Sequence, residues 1–300
     1  MKQIGAIVVM VCVAGSSSGQ PPKPCFAYLL RGDVSVTCEG RTTQITRRGD
    51  IQDFAVSNEQ SAFVYATEQV IRRTQTRAFT TVTNTVVDLK SRNSKRKEGY
   101  GLLASTCGSL LLMCDGNSHD LMTGRELSFP PYGWFCCSSD RKTVVGTIDH
   151  GYDLYVGLPP KTMIPGARSR VHGFNISPDG SKIAYHSNLK PVCVFSPPDP
   201  AQCVQPMSGN FVDFPSVNDS GEVLVAGGTG QACFYKSYYN FSPAPIHKSN
   251  DECLGIGYWK PGLESIQIIA PIGRNPQWIN PAAAQLMYAW ATHPSKPARK

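Results

Sequence analysis

Past residue 19 the chain has no run of about 18 uninterrupted apolar residues, the length a membrane-spanning helix needs. It also lacks a Gly-x-Ser-x-Gly elbow and any His-x-x-x-His pair. Gly227-Gly228-Thr229-Gly230 is a turn without the lysine of a phosphate-binding loop. The Ser-x-Asp-x-Gly-x-x-Trp box of sialidase-type propellers is missing, because Asp179 and Gly180 are adjacent. No segment after the N-terminus carries a convincing amphipathic helical pattern. These absences leave no convincing enzyme active site: no catalytic residue, metal site or cofactor is assigned.

What is present is turn chemistry. The 300 residues include 27 Gly and 23 Pro, spread evenly, which predicts short strands and many turns. Charged residues make up 17% and the hydrophobic set 41%, a folded composition. The formal charge of +7 is modest, and its densest run is Lys90, Arg92, Lys95, Arg96 and Lys97. That run suits either a solvated loop between strands or an anionic surface such as a cell envelope or polysaccharide.

The first 19 residues have the form of a secretory signal: Lys2, then an apolar run over 4–14, then small residues up to Gly19. Export and cysteine use agree, since eleven cysteines less Cys12 leave an even ten. Cys25 and Cys38 flank a turn at Arg31-Gly32-Asp33, and Cys193 and Cys203 flank SPPDPA, so each pair is predicted to be a disulfide. Cys233 and Cys253 would close a long loop. If 109–113 is a strand, Cys107 and Cys114 lie too far apart to pair with each other. Their pairing with Cys136 or Cys137 stays open.

The organising signal is a repeat. Its clearest copy is FNISPDGSKIAYHS (174–187): a strand, a tight turn on Ser177-Pro178-Asp179-Gly180, and a second strand. Weaker copies begin at Phe54, Leu102, Phe135, Phe214 and Trp278. Ser57, Ser105, Ser138, Ser177, Asn218 and Pro281 are taken as equivalent. The middle steps fit four-stranded blades of about 40–45 residues. The mature N-terminus starts with an orphan hairpin, and the last copy supplies two strands, so the ends would complete one blade and leave no long unpaired edge. The expected architecture is all-β. It is a propeller of about six four-stranded antiparallel blades, seven being the alternative, formed by residues 20–300 and closed by the N-terminal hairpin.

SPDGSKIAY resembles the core repeat of TolB-type and related periplasmic β-propellers. The resemblance implies the fold and a role as a binding scaffold, though some propellers of similar shape are hydrolases.

Loops after the second strand of each copy would gather at the mouth of the central channel. They hold Asp115, Asn117 and His119, then Asp149 and His150, then His186, then His293. Imidazoles and carboxylates brought together could bind a ligand or move protons. Of these, Asp149, His150, His186 and His293 are the candidate ligand-binding set, with Tyr235, Tyr238 and Tyr239 on the insertion between Cys233 and Cys253 as a second contact surface. The Arg-Gly-Asp triplets at 31–33 and 48–50 are expected to be turns, and the sequons at Asn175, Asn218 and Asn240 to be chance. The expectation is a secreted or periplasmic monomer that binds a protein or polysaccharide, with no nucleic-acid partner and no stable membrane insertion. The alternative is an extracellular hydrolase or lyase using the channel-mouth residues.

Overall fold

The computed structural model describes residues 23–73, 78–98, 104–107, 110–113, 118–119, 126–127, 132–148, 153–157, 160, 162–164, 167, 171–187, 191–205, 211–228 and 254–292. The expected signal, Asp149, His150, His293, Tyr235, Tyr238, Tyr239, Cys233 and Cys253 lie outside them.

The N-terminal strands are β1 (Phe26–Leu30), β2 (Asp33–Cys38) and β3 (Arg41–Gln44). Blade one is a meander of β4 (Ile51–Val56), β5 (Ala62–Arg73), β6 (Ala78–Asp88) and β7 (Ser94–Glu98). Short hairpins follow: β8 (Ala104–Cys107) with β9 (Leu110–Met113), and β10 (Ser118–His119) with β11 (Glu126–Leu127). Blade two is β12 (Tyr132–Cys137), β13 (Val144–Ile148), β14 (Leu154–Val156) and β15 (Thr162–Met163). Blade three is β16 (Val171–Ile176), β17 (Ile183–Ser187), β18 (Val192–Phe195) and β19 (Gln202–Val204). Blade four is β20 (Phe211–Val217), β21 (Val223–Gly228), β22 (Leu254–Trp259) and β23 (Gln267–Ala270). The last strand, β24 (Arg274–Trp278), pairs with β1 and completes a sheet in the order β24-β1-β2-β3; helix α1 (Pro281–Thr292) follows it.

The first strands of the blades lie side by side: β12 by β16, β16 by β20, β20 by β24 and β24 by β4. These strands line the axis of a β-propeller. Each blade is buried on both faces, so its strands alternate between two neighbours rather than between core and water. Val223 and Val225 pack toward blade three, whereas Leu224 and Ala226 pack toward the closing blade. Similarly, Ile183 and Tyr185 face blade two, while Ala184 faces blade four.

Three expectations are corrected. The blades number five, not about six. The copy containing Ser105 makes no blade: β8 and β9 pair with each other, and β8 joins β12 in parallel at Cys107 opposite Cys137, extending blade two to six strands. The step of 33 residues from Ser105 to Ser138 is short of what four strands require, and β8 sits between β4 and β12 instead. Closure is by one C-terminal and three N-terminal strands. Finally, the expected second strand of the last copy is α1, a helix the sequence announces through Asn280, whose Oδ1 accepts from the Ala283 amide at 2.7 Å, and through Pro281 at the first helical position.

Two expected disulfides are present. Cys193 and Cys203 face each other across β18 and β19, and Cys25 joins Cys38 across the first hairpin. Cys137 is also disulfide-bonded, and Cys136 is a buried thiol.

Candidate functional site

On one face of the ring, four turns share one construction. In each, the backbone amide of Ser57, Ser138, Ser177 or Asn218 donates to the carbonyl of the residue at or just before the start of the next strand, and the residue three places on adopts positive φ: Gln60 at 53°, Arg141 at 61°, Gly180 at 79° and Gly221 at 78°. The side-chain oxygen of the first residue accepts the amide that ends the turn, as in Lys182 N to Ser177 Oγ at 3.0 Å and Glu222 N to Asn218 Oδ1 at 3.0 Å. These small polar residues tie down their own backbone, which is why turns favour them.

The turns also hold hands around the ring. Asn58 Nδ2 donates to the Cys137 carbonyl at 2.8 Å, the Ser139 amide to the Pro178 carbonyl at 2.7 Å, and the Asp179 amide to Asp219 Oδ1 at 2.9 Å. Trp278 donates its amide to Ser216 Oγ and its indole to the Ser216 carbonyl, and the Asn280 amide reaches Gln60 Oε1. The belt therefore closes on itself. Gly180 sits so tightly against blade two that a Cβ would lie 2.8 Å from Thr143 Oγ1.

Carboxylates in the belt are tuned by these contacts. The Lys142 amide and the Ser138 hydroxyl hold the Asp140 carboxyl well below its usual value, at about 2. Burial raises Asp219, and the neighbouring Asp179 charge adds to that. For Asp179, burial works upward but the Ser177 hydroxyl and the Ser181 amide and hydroxyl win, so its pKa falls.

The opposite face differs. Every inner strand shifts register against its second strand there: between Ile51 and Asp53, Tyr132 and Trp134, Val171 and Gly173, Val212 and Ser216, and across Arg274 to Gln277. Such bulges redirect side chains at a rim. Pro215 and Pro276 fall within two of them, a signal visible in the sequence because proline inside a central strand is confined to bulges. His186 belongs to this face. It pairs with Gly173 beside the shift at His172 and is buried within its sheet. Of Asp149, His150, His186 and His293, it is the one that falls within the described residues.

Sequence reasoning missed the polar clasp between blade one and the closing blade. Asn275 Nδ2 donates to Asp53 Oδ1 at 2.6 Å and to the Phe54 carbonyl at 2.8 Å, while Arg274 Nη2 reaches the Gln52 carbonyl at 2.8 Å. Partners 222 residues apart leave no local pattern to read.

Both Arg-Gly-Asp triplets are structural. Asp33 is buried and accepts from Thr46 Oγ1, the Arg48 and Gly49 amides and Gln44 Nε2, so the second triplet wraps the carboxylate of the first. The Asn218 side chain is likewise engaged in its own turn.

The basic run is only partly a loop, with Lys90 and Arg92 in the connection between β6 and β7. Lys95, Arg96 and Lys97 form the middle of β7, the outer strand of blade one. Blade one also carries an overhang. Among the described residues β4 pairs with β5 as far as Thr67 and β7 with β6 as far as Thr83, while β5 and β6 pair on to Arg73 and Ala78. Six residues at about 3.3 Å each make a two-stranded ribbon roughly 20 Å long beyond the blade, with Gln69 exposed and Ile71, at a bulge, 67% exposed.

No helix among the described residues is long and apolar enough to cross a membrane, and no group of His, Cys, Asp and Glu among them could hold a metal ion. No protein-family model matches the chain, and no curated protein matches it in sequence. Among solved structures, a chain of the crystal structure of the mitotic checkpoint complex is similar at 12% identity and a TM-score of 0.46, covering 82% of this chain and 76% of that one. A likeness at that level carries no argument about function.

Proposed function

We propose that the protein is an exported, non-enzymatic binding propeller whose partner is a protein or a polysaccharide. The observation that carries this reading is the β5–β6 ribbon. Belt and clasp tie the blades to one another, and this ribbon, with Ile71 exposed at 67%, stands outside both. A projecting two-stranded ribbon with exposed backbone and side chains offers a partner a contact element that the rest of the blade does not. Two disulfides among the described residues accord with a secreted or periplasmic location. The Tyr235, Tyr238 and Tyr239 insertion remains a second proposed contact. The TolB-type resemblance of the third blade bears on the propeller fold more than on any role.

The rival is a hydrolase or lyase built on Asp149, His150, His186 and His293. Burial of His186 at 2% exposure speaks for a packing role at that position. Mature protein incubated with immobilised polysaccharide and peptide libraries separates the two. Retention without product release, lost when residues 69–81 are replaced by a two-residue turn, is the expected result. Product release abolished by Asp149→Ala or His150→Ala would overturn the scaffold reading.

A further inference from the structure

Each blade ends in an outer strand whose far edge has no partner among the described residues: β3, β7, β15, β19 and β23. Such edges invite strand addition, and lysines along an edge bar neutral and like-charged strands while leaving it open to one of opposite charge. β7 is the longest of the five, five residues against four, two, three and four. It also holds four charged residues, SKRKE, where the other four edges together hold one, Arg41. The segment 62–98 carries eight basic residues against three acidic, a net +5 in a chain whose formal total is +7. Lys95, Arg96 and Lys97 enter no ion pair among the described residues.

The strand geometry says what this charge fits. Successive side chains of a strand point to opposite faces, so Lys95 and Lys97 stand on one face of blade one and Arg96 on the other. The register against β6 agrees, with Val86, Thr85 and Asn84 opposite Lys95, Arg96 and Lys97 in turn. A polysaccharide or a lipid surface lying on one face would meet half of these cations. A chain added in the plane of the sheet meets all of them while its backbone pairs with the open edge. A second copy of β7 is excluded, because its own cations would stand opposite these.

We infer that the β7 edge is a docking strand for an extended acidic peptide segment of a partner protein, which adds to blade one as a fifth strand with consecutive carboxylates opposite Lys95, Arg96 and Lys97. The inference rests on the binding-module reading and names its partner class.

The probe is a synthetic peptide, TVEDEVT, followed by fluorescence anisotropy against the full mature protein. Its control is the same sequence N-methylated at alternate amides, which keeps the charge and removes the ladder. Expected are saturable binding that weakens with added salt, a loss of about tenfold or more in the Lys95→Glu, Arg96→Glu, Lys97→Glu variant, and slowed amide exchange over β7 in the complex. The milder Lys95→Gln, Lys97→Gln variant, checked for an unchanged thermal midpoint, should lose less. Equal binding of the N-methylated peptide, tighter capture of polygalacturonate or of phosphatidylglycerol vesicles, or no effect of charge reversal overturns the inference. If charge reversal leaves peptide binding unchanged while the protein still retains library ligands through its ribbon, the edge assignment falls and the binding-module reading stands. Product release by the wild type would sink the module reading, whatever β7 binds.

Discussion

The turn belt and the closing seam hold the same ring by different means. In the belt, each blade repeats one local device, a Ser or Asn that ties its own turn and touches the next, with every partner inside a turn or one blade away. In the seam, β24 and α1 bring the end of the chain onto its beginning through Asn275 on Asp53, Ile279 on the Cys25 carbonyl, and Trp290 packed edge-on against Phe63 with ring centres 5.4 Å apart. The difference teaches that a repeat sequence specifies its blades locally, whereas ring closure depends on a few long-range contacts that no repeat unit contains. Damage to the seam should therefore cost more than damage to one turn.

Trp290→Ala tests this most severely. The side chain is buried between the closing blade and blade one, and its removal should destabilise the protein by about 3–5 kcal/mol in urea unfolding. A loss no greater than that of a turn mutant would erase the contrast. In the belt, Gly180→Ala forces a positive φ on a residue with a Cβ and drives that atom toward Thr143; about 1–2 kcal/mol is expected from the backbone alone. The same change at Gly262, with open space around it, should cost less, because only the backbone penalty applies.

Acid should weaken the belt turn that holds Asp140. Asp140 is held low in the folded protein, so its contribution is present above the unfolded value near 3.8 and is lost as the pH falls toward about 2. Asp179 shifts in the same direction. Thermal midpoints of wild type and Asp140→Asn should converge as the pH drops through that window; parallel curves would show that the Asp140 contacts do not bear on stability. The smallest effect expected is a gain. Arg141 occupies at φ 61° the place that Gly180 and Gly221 fill in the next two blades, so Arg141→Gly should raise stability by at most about 1 kcal/mol.

The belt was legible because its cause is local. Ser57, Ser138, Ser177 and Asn218 could be aligned by eye, and all four occupy the same place in the fold. Ser105 looked equivalent but lies inside β8, since strand pairing and not the local pattern decides whether a hairpin becomes a blade. The helix is readable from Asn280, Pro281 and the apolar spacing of Ala283, Met287 and Trp290, but so short an apolar run after five strand-like copies fits a strand pattern as well as a 3.6-residue period. The overhang of β5 and β6 was obscured by its polar, Arg-rich composition, because a ribbon outside the core carries no burial pattern to reveal it. Of the candidate ligand set, burial of His186 could not have been foreseen from a neighbouring polar loop.

The central claim is that five blades are locked into one ring by strands from both ends of the chain. Native-state hydrogen exchange read on β24 and on β1 tests it most directly. The account predicts that both exchange as slowly as β4 and β21, in one cooperative step with the rest of the ring. Exchange of β24 or β1 well ahead of the other inner strands would contradict it, because a ring open at the seam would fray there first.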